Sequence, residues 1–452
     1  MIESVRKRPP RFKLLDFNWR YVNSVKTYNH IRNHSASRIM SKYKLRCLHT
    51  DEVIEDEYTL HHSDGALLVT EYSSQLNVDN SRKGMLKFQD WLPNIEMSQL
   101  NAGTTSYKAN ELGARIGMSD LWVTFHGYWP EKEGMCPTGS FKDMEAVPTI
   151  MRLKEKGCKG MICASAGNTA RAFSYFCGLE NFPLIVIVGK DHAERLYLPE
   201  NHPHDSVKLI VIEDGDYYDA KMFSKKIAPH LDSWQMEGGI HNVARRDGIG
   251  SLILDATYAI GKLPMHYFQG IGGGPGPVGV HEMAKRLIDT GLFEGPVPRQ
   301  HVSQNEEHCP IHNAWQAKRP HLEDSDFPDE EVEVFSDYLL NKAPAYQVKG
   351  GVYDTMVESN GQTYIVSKED AQEAKKMFES IEGIDIMSPA AVALASVIQA
   401  LENGDIEGDD CTVLNISGGG IGRMKSDMDI VQIKPWKTVS KHDDALTILQ
   451  DL

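Results

Sequence analysis

At 452 residues, 41% hydrophobic and 25% charged, the chain has room for two or three domains and the composition of a soluble globular protein. Its formal charge of −15 argues against a general binder of nucleic acid or anionic membranes, while leaving room for a local basic pocket that takes small anions. No run approaches the roughly 18 apolar residues of a membrane span, and seven scattered cysteines, an odd number, suit a reduced cytoplasmic protein rather than a disulfide framework.

Residues 1–46 stand apart: they carry twelve Lys/Arg against Glu3 and Asp16 alone. Such a leader reads as a disordered extension, as a start placed ahead of Met40, or as an organellar import signal. From Lys142 the pattern alternates. Glu145 to Lys156 carries Val147, Ile150, Met151 and Leu153 at helical spacing. Gly160–Ala164 reads as a short buried strand, Thr169–Leu179 as a helix, Pro183–Val188 and Val207–Ile212 as further strands, and Tyr218–Ile227 as a helix. A second set follows, with a helix over Ser251–Ala259, a strand over Met265–Gln269 and a helix over Pro277–Thr290. Residues 294–330, rich in Pro, His and acids, predict an exposed inserted loop. Pro389–Leu401 then reads as a helix and Cys411–Ile416 as a strand ending at Ser417-Gly418-Gly419-Gly420. Short apolar strands separated by helices predict parallel sheet with helices on its faces.

Three local patterns carry chemistry. The first is Lys142, in Pro137-Thr138-Gly139-Ser140-Phe141-Lys142-Asp143-Met144. The second is Ser165-Ala166-Gly167-Asn168-Thr169, between a predicted strand and helix, where backbone amides suit a carboxylate. Taken alone, Asn168 or Thr169 reads equally well as a helix cap. The third is Gly270-Ile271-Gly272-Gly273-Gly274-Pro275-Gly276, at another strand–helix junction, with Gly272, Gly273, Gly274 and Gly276 suited to cradle a phosphate. The alternatives are a plain tight turn or a dinucleotide loop, whose G-x-G-x-x-G spacing is absent. A lysine, an anion-binding loop and a phosphate loop together meet the demands of pyridoxal 5'-phosphate. Ser417 at the end of the last strand then faces the pyridine nitrogen, or is an ordinary turn serine. A hydroxyl there leaves that nitrogen largely unprotonated, which suits elimination and replacement.

Ser140-Phe141-Lys142-Asp143 and Ala164-Ser165-Ala166-Gly167-Asn168-Thr169 resemble the lysine and asparagine motifs of the fold-type II pyridoxal-phosphate enzymes, in the threonine synthase-like branch. Asp90-Trp91-Leu92-Pro93, Gly127-Tyr128-Trp129-Pro130-Glu131, Val302-Ser303-Gln304-Asn305 with Asn313-Ala314-Trp315, Lys349-Gly350-Gly351-Val352-Tyr353-Asp354 and Leu414–Gly420 are similar to the cysteate synthases of that branch. The resemblance runs over most of the chain from Lys42.

The resemblance implies an α/β fold like that of tryptophan synthase β, with two open twisted, mostly parallel sheets and helices on both faces. It implies a large cofactor domain over 47–144 and 246–452, and a small substrate-closing domain over 145–245. Lys142 is then the Schiff-base lysine and the base for the α-proton. Asn168, Gly272, Gly273, Gly274, Gly276 and Ser417 hold the cofactor, and Ser165, Ala166, Gly167 and Thr169 hold the substrate carboxylate. Of Arg245 and Arg246, either one meets a leaving phosphate or the pair lies exposed at a helix start. The implied reaction converts O-phospho-L-serine and sulfite to L-cysteate and phosphate. Threonine synthase chemistry on O-phosphohomoserine, or β-replacement with another nucleophile, stays open. A homodimer is implied, without nucleic-acid or membrane partners. Cys47 has His49, His61 and His62 nearby but no second cysteine at zinc-ribbon spacing, so no metal is expected.

Overall fold

The computed structural model describes residues 42–94, 100–165, 167–330 and 332–450. The leader up to residue 41, and with it the readings of that segment, lies outside the described residues, as does Ala166. Tyr43–Cys47 is already a strand, so residues 43–46 belong to the folded body rather than to the leader.

Two sheets organise the chain. The six-stranded sheet runs in the order Gln362–Val366, Arg299–Asn305, His266–Gly270, Thr412–Gly419, Leu121–Gly127 and Thr105–Lys108. All neighbours are parallel except the edge strand Thr105–Lys108. The five-stranded sheet runs Trp234–Met236, Gly160–Ala164, Leu184–Gly189, Val207–Ile212 and Pro435–Val439, parallel throughout. A three-stranded antiparallel sheet, with Tyr43–Cys47 between Val53–Ile54 and Leu68–Tyr72, lies near the N-terminal end of the described chain.

Successive strand residues serve opposite faces. On the six-stranded sheet, Tyr267 and Val413 pack with Ile249, Leu252 and Met283 of the helices Val243–Ile260 and Pro275–Asp289. Phe268 and Leu414, the next residues, pack with Val392, Leu394 and Val397 of the helix Ser388–Glu402. The five-stranded sheet does the same. Cys163, Val186 and Leu209 face Phe173 and Phe176 of the helix Asn168–Glu180, while Ile162, Ile185 and Ile210 face Phe223 and Ile227 of the helix Tyr217–Ile227.

Residues 294–330 are an exposed loop only in part: 317–325 are largely exposed, but 299–316 belong to the folded body. Arg299–Asn305 is a strand inside the large sheet, and the helix Pro310–Gln316 buries Ile311 and Ala314. The expectation failed because the strand is polar yet buried. Asn305 exchanges hydrogen bonds with Ser336 in both directions, and the His301 ring stacks on Phe268. The strand's buried members are mostly polar, several of them with specific partners, so apolar periodicity is absent from the sequence.

Candidate active site

His266–Gly270 and Thr412–Gly419 are adjacent parallel strands, with Phe268 level with Leu414. The chain leaves His266–Gly270 for a neighbour on one side, Arg299–Asn305, while Thr412–Gly419 lies on the other. Crevices at the carboxyl ends of strands beside such a reversal are where open parallel sheets bind ligands. The glycine loop and Ser417 emerge there side by side.

Lys142 is held against the same place. Ser140 bridges Gly418, Phe141 N–H donates to the Ser417 carbonyl at 3.0 Å, and Gly419 N–H donates to the Gly139 carbonyl at 3.0 Å. Lys142 is the first residue of the helix Lys142–Glu155. The turn before it is fixed by Asp143, a buried carboxyl that accepts from Thr138 N–H at 2.8 Å and from the Thr138 hydroxyl. Burial pushes Asp143 up to about 7.

The Lys142 side chain, 16% exposed, donates to Glu145 Oε1 at 2.5 Å. Arg245 Nε lies 2.6 Å from Glu145 Oε2, and Arg245 Nη1 donates to Glu237 Oε2 at 2.7 Å. Lys142, Glu145, Arg245 and Glu237 thus form a chain of alternating charge. Burial holds Lys142 below the ordinary lysine value, with Glu145 opposing that shift and Arg245 adding to it.

The asparagine loop comes from the other sheet, following Gly160–Ala164. Gly167 is the residue before the helix Asn168–Glu180, and no side chain caps that end, so neither Asn168 nor Thr169 is a cap. Asn168 Oδ1 instead accepts from Arg171 Nη2 at 2.9 Å, and its Nδ2 points to Met387 Sδ at 3.5 Å. Arg171 Nε also donates to the Thr138 carbonyl at 3.0 Å. Met387 N–H donates to the Gly418 carbonyl at 2.9 Å. Through these contacts Asn168, Lys142 and Ser417 are drawn together from both sheets. Arg171, a buried cation stacked on Tyr197, was not anticipated. Its place one helical turn after Asn168 was the available signal.

The glycine loop leads into the helix Pro275–Asp289, whose start has no side-chain cap and no acidic residue in its first turn. Its free amides and dipole are therefore left for an anion. Side chains have little room in this loop. A Cβ at Gly272 would lie 3.3 Å from the Leu339 backbone, and one at Gly273 would lie 3.0 Å from Asn341 Nδ2. Gly274 has φ +100° and approaches Val352, and a Cβ at Gly276 would overlap Gln269. A loop of bare backbone at an uncapped helix start fits a phosphate cradle, and the lysine beside Ser417 fits a covalent cofactor anchor. The residues present therefore suit pyridoxal phosphate.

Ser165 and Thr169 bracket the asparagine loop, Ser165 partly buried and Thr169 buried. Gly167 lies near Tyr338. Arg246 needs correction. It is fully buried, pairs with Glu282 at 2.9 Å, and donates to the carbonyls of Ile240 and Leu68, so all three guanidinium nitrogens are occupied within the fold. Nor is the pair exposed at a helix start, since Arg245 is buried as well.

A family model described as pyridoxal-phosphate dependent enzyme matches residues 98–418. A cysteate synthase of Methanosarcina barkeri is 41% identical over 417 residues, covering 91% of this chain and all of that protein. The cysteate synthase of Methanocella arvoryzae is 44% identical over 401 residues, covering 88% of this chain and 95% of that one. Among solved structures, maize serine racemase superposes with a TM-score of 0.53 at 15% identity, over 72% of this chain and 90% of its own. A pyridoxal 5'-phosphate-dependent aspartate racemase gives 0.52 at 13%, over 70% and 90%. These two likenesses speak for the fold alone. A family match over most of the length, with full-length relatives above 40% identity, settles the membership: the chain belongs to the cysteate synthases, within the pyridoxal-phosphate-dependent enzymes.

Proposed function

We propose that the protein converts O-phospho-L-serine and sulfite to L-cysteate and phosphate. The observation that carries this reading is the 41% identity to a cysteate synthase aligned over that enzyme's whole length. Bound, pyridoxal phosphate supplies the electron withdrawal that acidifies the substrate Cα–H and lets a group on Cβ leave.

The chain's residues do the rest. Lys142 anchors the cofactor covalently and, once released, takes the proton from Cα and later returns one there. Its lowered pKa favours the free amine needed for that step. Glu145, held on its far side by Arg245, sets where the amine points. Gly272, Gly273, Gly274 and Gly276 receive the cofactor phosphate at the helix start. Asn168, fixed by Arg171, would hold the cofactor at its ring hydroxyl and Ser417 at its ring nitrogen. Backbone amides around Ser165, Gly167 and Thr169 orient the substrate carboxylate. On this reading the enzyme is a cytoplasmic homodimer without nucleic-acid partners, in keeping with its formal charge of −15. Among the described residues no helix is long and apolar enough to cross a membrane.

Phosphate release tests the reading. Sulfite-dependent release from O-phosphoserine with formation of cysteate is expected. Release from O-phosphohomoserine alone, indifferent to sulfite, overturns it in favour of threonine synthase chemistry.

A further inference from the structure

The small antiparallel sheet gathers four donor side chains at one end. Cys47 closes the strand Tyr43–Cys47, and His49 follows it. His62 and Asp64 lie in the turn before Leu68–Tyr72, which pairs with the first strand so that Leu68 faces Cys47. Two short ligand pairs, Cys47-Leu48-His49 and His62-Ser63-Asp64, are thereby brought face to face.

Cys47 Sγ lies 3.6 Å from Asp64 Oδ2, His62 Nδ1 lies 2.7 Å from Asp64 Oδ1, and His49 Nδ1 lies 2.8 Å from Asp64 Oδ2. One donor atom each from Cys47, His62 and Asp64 falls within 4.8 Å of the others. The other His62 nitrogen, Nε2, is 3.1 Å from Glu52 Oε2. A carboxylate on the outer nitrogen is how metal-bound histidines are oriented. Cys47 is fully buried, and the His62 side chain is only 9% exposed.

We propose that Cys47, His49, His62 and Asp64 bind a structural zinc ion, correcting the expectation that no metal is held. One thiolate and one carboxylate balance the ion's two positive charges, and two neutral imidazoles complete the tetrahedral set zinc prefers. Zinc–ligand lengths place tetrahedral donors about 3.3–3.6 Å apart. The Cys47–Asp64 spacing already fits, His62 needs to open from Asp64 by less than about 1 Å, and His49, held by Asp64 but outside the compact group of three, has to swing in as the fourth ligand. His49 is exposed and free to make that adjustment.

The sheet has reason to need a staple. One of its strands, Val53–Ile54, has only two residues, and its core cluster is just Tyr43, Leu45, Cys47, Ala66, Leu68 and Val243. The ion also has something to support. Leu48, between two ligands, packs on Gly350, and Leu67 N–H donates to the Lys349 carbonyl at 2.9 Å. Val352, just beyond, packs against Gly274 of the glycine loop.

Metal analysis of the full-length holoenzyme decides the matter, combined with titration of chelator-treated protein with Co²⁺. One zinc per chain and a cobalt–thiolate charge-transfer band are expected, with loss of both in Cys47→Ser and in His62→Ala. His49→Ala, at an exposed position, is expected to lose zinc to a chelator faster than wild type. Wild-type protein with no stoichiometric metal and no cobalt–thiolate band overturns the proposal whether or not the variants fold. A band that survives Cys47→Ser overturns it too, and unchanged zinc retention in His49→Ala overturns the four-ligand assignment.

Discussion

Replacing Glu145 by Gln tests the charge arrangement around Lys142. Glu145 is fully buried, accepts from Lys142 at 2.5 Å and lies 2.6 Å from Arg245. Glutamine keeps the shape and removes the negative charge. The main influence that raises the Lys142 pKa then disappears, leaving only the weaker pull of Glu237 against burial and Arg245, which lower it. A hydrogen bond to a charged group contributes about 1.5–3 kcal/mol, or roughly ten- to a hundredfold in the balance between ammonium and free amine. Only the free amine condenses with an aldehyde. The Glu145→Gln apoenzyme is therefore expected to capture pyridoxal phosphate on the order of tenfold faster or more at neutral pH, and its rate–pH limb to move toward lower pH. Stopped-flow absorbance of the imine across a pH series reads both. Equal or slower capture by a folded variant would refute the role of Glu145 in raising the Lys142 pKa.

Arg246→Ala strands Glu282 and two buried carbonyls, so a loss of about 3–5 kcal/mol in urea unfolding is expected. An equally stable variant with weakened substrate binding returns Arg246 to a substrate role. His126 is buried beneath the site, bonded to the Ile416 carbonyl at 3.3 Å and to the Thr104 hydroxyl at 2.9 Å, and burial pushes it down to about 4. The unfolded chain therefore takes up its proton first as pH falls, and the stability held above the ordinary histidine value of 6.5 is lost between there and about 4. His126→Gln is expected to flatten that part of the melting temperature–pH curve, and an unchanged slope refutes the assignment.

Elements with an apolar face were legible from sequence. The Val207–Ile212 strand has the bounds its β-branched run predicts, and the helices after the asparagine and glycine loops begin within two residues of expectation. The strand Arg299–Asn305 was hidden because its buried members are mostly His, Ser, Gln and Asn, of which His301 and Asn305 find partners far away in the chain. The site followed the same division. Lys142, Asn168 and the glycine loop announce themselves by local pattern, since backbone turns need particular residues. Arg171 and Glu145 do not, because their significance lies in what they touch: Asn168 and Thr138 for one, Lys142 and Arg245 for the other. The two adjacent arginines could be told apart only by their partners.

The strand Pro435–Val439 completes the five-stranded sheet beside Val207–Ile212, yet it is made after every strand of the six-stranded sheet. On the ribosome the Val207–Ile212 edge therefore stays unpaired until almost the whole chain has emerged. A bare parallel edge invites pairing with other nascent chains. Premature termination ahead of Pro435 would leave every residue of the proposed active site in place and still yield a sticky, incomplete sheet. For this enzyme, yield in a cell is tied to finishing translation as closely as to the chemistry of its site.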